Sequence, residues 1–423
     1  MMKFNSITLG CKVNAYESDF IYSLFKKKGY VFDSENFDIC VVNTCTVTNM
    51  ADKKSRQVIH RIRRENPSSV LVVCGCYCEN MHKENREEEI DADIVIGNKD
   101  KSKIVDYVEE YLEKREKNVK FYDIRHASFE DMEIEETTSH TRAYVKIEDG
   151  CNNFCTYCVI PFTRGCVRSK EHERVIEEIT KLVNNGYKEI VLTGIHTGAY
   201  NDEGYDFADL LSDLIKIDNL YRIRISSVEI NELNDRVLEL FKNSDKIAKH
   251  FHIPLQSGSE RILKEMNRKY NKAFFLDRVN KIRSINENVN LTTDVIVGFP
   301  TETYEEHLES LEFIKEIGFS KVHTFPYSDR DGTVASKKPN KVSPIDKKKR
   351  VNELLNLSIE LENNYYKKFY GKKVDVLFEE YKEGYSYGHT SNFIKVKVKE
   401  NIPSNEIRSV LLNEENICIE RVV

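Results

Sequence analysis

The sequence predicts an α/β protein with an N-terminal doubly wound parallel sheet, a central partial (β/α)6 barrel and a small C-terminal β-barrel. At the N-terminus, short β-rich runs alternate with helical patterns, which is typical of a parallel sheet flanked by helices. The same alternation begins again after Arg142, and short alternating strands replace it from Gly371. A chain of 423 residues has room for these parts, since a domain takes roughly 100–200 residues.

The N-terminal sheet is predicted at residues 1–118. Its strands are the β-rich runs Phe4–Leu9, Ile39–Asn43, Val70–Cys74 and Ile94–Ile96. Between them, charged and apolar residues at helical spacing predict the helices Glu17–Lys28 and Ala51–Glu65. A linker is predicted at residues 119–140, because Glu130–His140 is acidic and polar and has no period, which favours an exposed loop.

The central barrel is predicted at residues 141–368. A helix near Arg174–Asn185 follows its first strand, and the strands are Ala143–Ile147, Glu189–Leu192, Arg222–Ser226, His250–Pro254, Leu291–Val297 and Lys321–Phe325. These strands suit an open barrel, since a complete eight-unit barrel takes about 250 residues. After a helix at Val351–Tyr370, the C-terminal β-barrel at 369–423 has the strands Val374–Phe378, Phe393–Val398, Ser409–Leu412 and Ile417–Val422.

Composition limits the classes of function. With 64 Lys and Arg against 70 Asp and Glu, the net charge is −6, so RNA binding would need local basic patches rather than a basic chain. The eleven cysteines occur at metal-site spacing, which favours a reducing compartment over a disulfide framework. The sequence has no transmembrane run, and Met1–Cys11 lacks the apolar core of a signal peptide. We expect a cytoplasmic protein that has no membrane partner.

The strongest chemical signal is Cys151-Asn-Asn-Phe-Cys155-Thr-Tyr-Cys158. Three thiolates at this spacing can bind one 4Fe-4S cluster and leave its fourth iron open to a substrate or cofactor. A zinc loop is an alternative, although zinc sites more often use paired C-x2-C knuckles. The other alternative is three ordinary buried cysteines.

Three further cysteines, Cys11, Cys45 and Cys76, fall where N-terminal strands should end. The carboxyl ends of parallel strands share one edge, so these thiols predict a second three-cysteine site. Spacing alone does not identify the third ligand, because Cys74, Cys76 and Cys78 alternate along the chain and an extended segment would place all three on one face. We expect Gly75 to end the strand and expose Cys76, while Cys40, Cys166 and Cys418 suit small buried positions.

The cysteine motifs resemble those of a known family. The Cys151–Cys158 loop, with Tyr157, is similar to the signature loop of radical S-adenosylmethionine (SAM) enzymes. Gly-Cys11-Lys-Val-Asn, Asn-Thr-Cys45-Thr-Val-Thr and Gly75-Cys76-Tyr resemble the cluster motifs of radical SAM methylthiotransferases, and this pattern selects Cys76. The sequence from Asn43 to Ile59 resembles the branch that modifies threonylcarbamoyladenosine in tRNA. Cys78-Glu79 departs from the family pattern, which often has a small residue and then Gln.

The resemblance implies two 4Fe-4S clusters and SAM as cofactors. Metal ligands would be Cys11, Cys45 and Cys76 for one cluster and the catalytic Cys151, Cys155 and Cys158 for the other. The central part would be the radical SAM barrel. By the same resemblance, the residues that bind SAM or substrate are Tyr157, Gly194, His196, Glu229, Gln256, Ser257 and Asp294, and Arg164 contacts substrate or cofactor. Apart from the resemblance, each of these loops is also explained by ordinary turn chemistry.

The implied reaction converts N6-threonylcarbamoyladenosine, next to the anticodon, to its 2-methylthio derivative. The implied partners are the tRNA anticodon arm, a reducing electron donor such as a flavodoxin or ferredoxin, and a sulfur source. The C-terminal barrel resembles the family's RNA-binding (TRAM) domain, and its aromatic residues interleave with cations. Alternatives are methylthiolation of a ribosomal protein aspartate, or a non-catalytic iron–sulfur protein that binds RNA.

Overall fold

Six parallel strands form the N-terminal sheet of the structure, a computed structural model that describes residues 1–138 and 141–419. The strand order is β2-β1-β3-β4-β5-β6. The strands are β1 (Lys3–Thr8), β2 (Val31–Phe32), β3 (Ile39–Thr44), β4 (Val70–Gly75), β5 (Ile94–Ile96) and β6 (Asn118–Lys120). The four predicted strands are therefore present with ends shifted by one residue at most, whereas β2 and β6 were not predicted.

Helices cover both faces of this sheet. They are α1 (Lys12–Lys27), α2 (Asn49–Glu65), α3 (Cys76–Lys83) and α4 (Ile104–Lys114). Alternate residues of β3 and β4 pack against α1 and α4 on one face and against α2 and α3 on the other. Both strands are completely buried, which explains why they form continuous apolar runs in the sequence. The sequence analysis did not predict α3 or α4.

The central part contains six parallel strands in two hydrogen-bonded groups. They are β7 (Ala143–Lys146), β10 (Glu189–Thr193) and β13 (Arg222–Ile225), then β14 (His250–His252), β15 (Asn290–Val297) and β16 (Lys321–Pro326). A parallel bridge between Ile223 and Ile247 connects the groups. Two short hairpin pairs lie in the loops, namely β8 (Glu148–Asp149) with β9 (Arg168–Ser169), and β11 (Asn201–Asp202) with β12 (Tyr205–Asp206).

Helices on the outside of these strands bury one continuous apolar core. They are α6 (His172–Asn184), α7 (Phe207–Leu214), α8 (Asp235–Asn243), α9 (Glu260–Glu265), α10 (Lys272–Ile285), α11 (Tyr304–Ile317) and α12 (Pro344–Lys367). The short helix α5 (Ile160–Thr163) instead follows Cys158 and contacts α3. From β7 to β16 the chain passes through at least one helix between each of these parallel strands and the next, as parallel pairing requires. Among the described residues, no helix combines the length and apolar character that a membrane span requires.

The C-terminal part is a four-stranded antiparallel sheet in the order β19-β18-β17-β20. Its strands are β17 (Lys373–Lys382), β18 (Tyr385–Thr390), β19 (Lys395–Val398) and β20 (Ile407–Leu411). Ile417 bridges to Val396, and residues 420–422 of the last predicted strand lie outside the described residues. The closed β-barrel therefore stays a prediction.

The segment before the barrel is packed, so the expectation of an exposed loop was wrong for its middle. Met132 and Ile134 are buried in the central core. The Tyr16 hydroxyl of α1 donates to the carbonyl oxygen of Met132 at 2.5 Å, and the Ile134 N–H donates to Glu178 of α6 at 2.9 Å. The two apolar side chains are only two residues apart, too few for a periodic signal. This segment ties the N-terminal sheet to the barrel.

We expect Ile134→Ala to lower the free energy of unfolding by about 2–5 kcal/mol, because it leaves a cavity in a closed core. Ile345→Ala is the matched control, since that side chain is 82% exposed on α12 and should change stability by at most about 0.5 kcal/mol. Urea denaturation of both variants measures the difference. Equal stability of the two variants would contradict the packing described for this segment.

Candidate active site

The loop that carries Cys151, Cys155 and Cys158 follows β8 at the carboxyl end of β7. Gly150 enters it at φ +88°, and a Cβ there would lie 2.0 Å from the carbonyl oxygen of Cys166, so only glycine fits. The Cys151 N–H donates to the Gly165 carbonyl at 3.0 Å, which closes the loop. Thr156 is held by backbone hydrogen bonds from both sides, with Met266 and Ala335.

Each thiol of this loop has an N–H group close to its sulfur. The backbone N–H groups of Asn153 and Ile160 donate to Cys151 Sγ at 3.5 Å and to Cys158 Sγ at 3.4 Å. Arg268 Nη1 donates to Cys155 Sγ at 3.3 Å. Donors of this kind stabilise thiolates over thiols. The loop therefore fits a 4Fe-4S cluster, whose ligands are thiolates and whose sulfurs accept hydrogen bonds.

The second set of cysteines lies at the carboxyl edge of the N-terminal sheet. Cys11 caps α1 after β1, Cys45 follows β3, and Cys76 begins α3 directly after β4. A Cβ on Gly10 would lie 3.0 Å from Cys45 Sγ, so the chain before Cys11 touches the second thiol. The three sulfurs are close enough that Cys11 and Cys76 add to the raised pKa of Cys45. This set also fits three-thiolate binding of an iron–sulfur cluster.

The neighbours of Cys76 account for its position. The strand ends at Gly75 as expected, but Cys76 is only 4% exposed, so the expectation that it is solvent-exposed was wrong. Cys74 packs into the core beneath α1 and α4, and Cys78, which belongs to α3, packs into the opposite core with residues of α2. Cys74, Cys76 and Cys78 do not alternate along one extended strand, because the strand ends at Gly75 and the helix α3 begins at Cys76. Cys40 is buried as expected, whereas Cys166 is exposed.

Arg164 connects the two sets of cysteines, a contact that the sequence did not reveal. It belongs to the loop after Cys158, it is fully buried, and its Nε donates to Cys76 Sγ at 3.2 Å. Its Nη2 donates to Asn14 Oδ1 at 2.7 Å, and that oxygen lies 3.8 Å from Cys11 Sγ. Asn98 Nδ2 donates to Cys76 Sγ from the other side at 3.4 Å. The sulfur of Cys76 thus accepts hydrogen bonds from one guanidinium and one amide.

Burial opposes ionisation of these thiols in the protein alone. It raises the pKa of Cys45 and of Cys158 to about 12, with neighbouring cysteines adding to the effect. A bound metal deprotonates a coordinating thiol outright, so these groups would become thiolates only on metal binding. Burial lowers the pKa of His196, but hydrogen bonds with Cys151 and Glu232 outweigh it and raise that pKa to about 11. His196 is therefore a cation 3.9 Å from Cys151 Sγ.

The residues predicted to bind SAM or substrate fall into two places. His196 and Glu229 line a small recess beside Cys155, where Glu229 pairs with Arg268. Gly194 and Asp294 line a cavity of about 650 Å³ that also contains Gly10, Cys11 and Lys12. A Cβ on Gly194 would lie 2.8 Å from Glu148 Oε2, so packing inside the protein already requires this glycine.

The remaining predicted residues have partners within the fold. Tyr157 packs beside the small cluster that contains Met266 and Phe299. Ser257 is buried and lies 3.3 Å from the Ser310 hydroxyl of α11. Gln256 has φ +65°, and its backbone bridges to β15 on both sides. Arg268 is the residue of this region that sequence reasoning missed, because nothing in its local sequence signals a sulfur contact.

The fold and the Cys151–Cys158 loop define a radical SAM enzyme. The sequence model described as "Radical SAM superfamily" matches residues 145–314, and "Uncharacterized protein family UPF0004" matches residues 3–97. A solved structure of the radical SAM methyltransferase TsrM from Kitasatospora setae has a TM-score of 0.58 at 12% identity and covers 79% of this chain and 77% of its own. At that identity the similarity concerns the fold alone.

Curated relatives give the family. Threonylcarbamoyladenosine tRNA methylthiotransferase MtaB of Bacillus subtilis is 45% identical over 93% of this chain and 89% of its own length. The protein of the same name from Aquifex aeolicus is 40% identical over 89% and 92%. A tRNA-2-methylthio-N(6)-dimethylallyladenosine synthase of Clostridium botulinum is 36% identical over 88% and 85%. The chain belongs to the radical SAM methylthiotransferases, in the branch of the MtaB proteins.

The first test of the site concerns the choice of the third N-terminal ligand. We expect Cys76→Ala to lose most of the iron held at the N-terminal set, because its thiol lies at the sheet edge with Cys11 and Cys45. Cys74→Ala and Cys78→Ala are the matched controls, and both should keep that iron because their side chains point into the cores. Iron content and visible absorption after anaerobic reconstitution measure the effect. Loss of iron in Cys78→Ala with retention in Cys76→Ala would reverse the assignment.

Proposed function

We propose that this enzyme converts N6-threonylcarbamoyladenosine in tRNA to its 2-methylthio derivative. The observation that supports this most directly is Arg164, a buried residue that follows the Cys151–Cys158 loop in the chain and donates to Cys76 Sγ of the other cysteine set. Methylthiolation needs sulfur and a radical at one carbon atom, so both sites must serve one substrate position. The choice of threonylcarbamoyladenosine as the nucleoside rests on the names of the relatives.

In this proposal, Cys151, Cys155 and Cys158 hold one 4Fe-4S cluster, and Cys11, Cys45 and Cys76 hold the other. When bound, the first cluster supplies the electron that cleaves SAM, and the second supplies the site at which sulfur is carried. The protein's own residues have other tasks. Arg268 and His196 stabilise negative charge on the first set of thiolates, and Arg164 and Asn98 stabilise it on Cys76.

Residues around the cavity are proposed to hold the reactants in place. Tyr157, Gly194, His196, Glu229, Gln256, Ser257 and Asp294 stay our proposal for contacts with SAM or substrate. Cys11, β15 and the C-terminal sheet contribute walls of this space, and a bound substrate that displaces water from it would strengthen the electrostatic contacts inside. Reacting groups need to be held within about 3–3.5 Å for effective orientation.

The three parts of the chain divide this work. We propose a doubly wound sulfur-carrying domain at 1–118, a linker at 119–140, the radical SAM barrel at 141–368 and a TRAM-like β-barrel at 369–423. The anticodon arm would be held by the C-terminal part and by α2, whose basic residues are Lys53, Lys54, Arg56, Arg61, Arg63 and Arg64. A flavodoxin or ferredoxin as electron donor and a separate sulfur source complete the proposed partners.

The nucleosides of total tRNA test the substrate. Deleting the gene should remove the 2-methylthio derivative of threonylcarbamoyladenosine and leave threonylcarbamoyladenosine itself, as measured by mass spectrometry. Complementation with the intact gene should restore the derivative, and complementation with Cys151→Ala should not. Unchanged nucleosides together with loss of a modified ribosomal protein aspartate would favour the alternative substrate.

Iron content tests the two clusters. The intact protein, reconstituted anaerobically, should hold about eight irons if each set carries a four-iron cluster. The triple variant Cys151→Ala, Cys155→Ala and Cys158→Ala should hold about half and keep the absorption of the other cluster. Complete loss of iron from the triple variant would contradict independent sites.

A further inference from the structure

The cavity beside Cys11 has more positive than negative charge on its walls. It lies between the N-terminal sheet, the inside of the central barrel and the C-terminal sheet, and its 650 Å³ suits a ligand of nucleoside size. Three lysines line it, Lys12, Lys321 and Lys395, against one carboxylate, Asp294. This imbalance indicates that the cavity takes an anionic group.

The charged groups on the wall differ in whether they have partners. His252 Nε2 lies 3.3 Å from Asp294 Oδ2, and Lys321 Nζ lies 3.4 Å from Glu362 Oε1. Lys395 lies over the ring of Tyr387. The ammonium group of Lys12 makes neither a hydrogen bond nor an ion pair with any residue in 1–138 or 141–419.

The charged groups around the Lys12 ammonium indicate which kind of ligand it binds. Arg142 and Arg224 are close enough to repel its charge, whereas Cys11, when it is a thiolate, and Asp294 attract it without forming an ion pair with it. Both arginines have carboxylate partners of their own, Glu379 and Glu189. An ammonium group held among cations is most stable when an anion binds it. No described carboxylate forms an ion pair with this exposed ammonium group, so it is available to bind an anionic ligand.

The proposed substrate carries an anion at a suitable place. The threonine of the N6-threonylcarbamoyl group has a free carboxylate, whereas a dimethylallyl group at the same nitrogen is neutral. On adenine, N1 alone separates C2 from the carbon that bears N6, so the substituent and the reacting atom share one edge of the base. An enzyme that carries sulfur near Cys11 must bring that edge to the Cys11 loop, and Lys12 is the next residue.

Resting on the proposed function, we infer that Lys12 binds the carboxylate of the N6-threonylcarbamoyl group and thereby selects this substrate over adenosines with neutral N6 groups. The interaction is a charge-assisted hydrogen bond at a site closed on several sides. The carboxylate of SAM has the same chemistry, so the test must separate the two sources. A purely structural role of Lys12 must be separated as well.

The test uses anticodon stem-loop RNAs with three nucleosides: threonylcarbamoyladenosine, its methyl ester and unmodified adenosine. The ester keeps the shape of the group but removes its charge. The reconstituted intact enzyme should bind the acid about 10- to 100-fold more tightly than the ester. Lys12→Gln should bind acid and ester alike, and Lys12→Arg should keep the preference. Lys26→Gln, at the other end of α1 and away from the cavity, is the matched control and should behave as the intact enzyme.

Three results would overturn the inference. Equal affinity of the intact enzyme for acid and ester would do so without any variant. Full preference for the acid in Lys12→Gln would show that another group binds the carboxylate. Weakened SAM binding in Lys12→Gln, with the acid preference intact, would assign the lysine to SAM. Iron content is measured for every variant, and failure of the intact enzyme to methylthiolate the acid RNA would instead refute the proposed function.

Discussion

The arrangement of the site depends on one buried ion pair between the two larger parts of the chain. Arg164, in the barrel loop after Cys158, places Nη1 2.6 Å from Glu17 Oε1 of α1, and neither side chain is exposed. Lys101 and Lys146 also pair with Glu17, and Asp149 pairs with Arg164 and Lys146. Burial alone would raise the pKa of Glu17, but Arg164, Lys101 and Lys146 hold it well below its usual range. The group is thus a buried network in which each charged side chain has partners of opposite charge.

Such a network acts through geometry more than through net stability. Forming a buried ion pair gains little against an apolar replacement, whereas removing one partner costs about 3–5 kcal/mol because a charge is left buried and unpaired. Each member therefore fixes the positions of the others. Because Arg164 also donates to Cys76 Sγ, the same contacts that join the sheet to the barrel also fix one cysteine set relative to the other. Relative motion of the two parts would break several of these contacts at once.

The sequence revealed the elements and the chemistry far better than the contacts between them. Strands such as β3 and β4 were predictable because burial on both faces produces continuous apolar runs, and Gly75 marked where β4 ends. The helix α3 was missed since its eight residues begin directly at that glycine with three polar or small side chains. Met132 and Ile134 were missed because tertiary packing, not local pattern, buries them.

The candidate site was likewise predictable where the signal is local in sequence and was missed where it depends on long-range contacts. Cysteine spacing is local, so both sets could be identified, and only family resemblance chose Cys76 among its neighbours. Arg164 and Arg268 touch sulfur across 88 and 113 residues of sequence, distances at which no pattern in a single chain signals a contact. The glycine in the loop after β10 was predicted to admit a ligand, but the side chain nearest to Gly194 is Glu148. A loop glycine thus indicates close approach without indicating by what.

The first two turns of α1 show how one short motif can serve several tasks. Cys11, Asn14 and Glu17 are three residues apart, so they lie on one face of the helix, and Arg164 binds both Asn14 and Glu17 from the barrel. Lys12 is one residue on from Cys11, about 100° around the axis, and it faces the cavity. Helical geometry therefore places Cys11 and Glu17 on one face of α1. Lys12 lies on the adjacent face, where its side chain can bind a ligand. Because the same helix start carries Cys11, a proposed cluster ligand, and the cation Lys12, a change at position 12 should alter which substrate is held without moving the cysteine beside it.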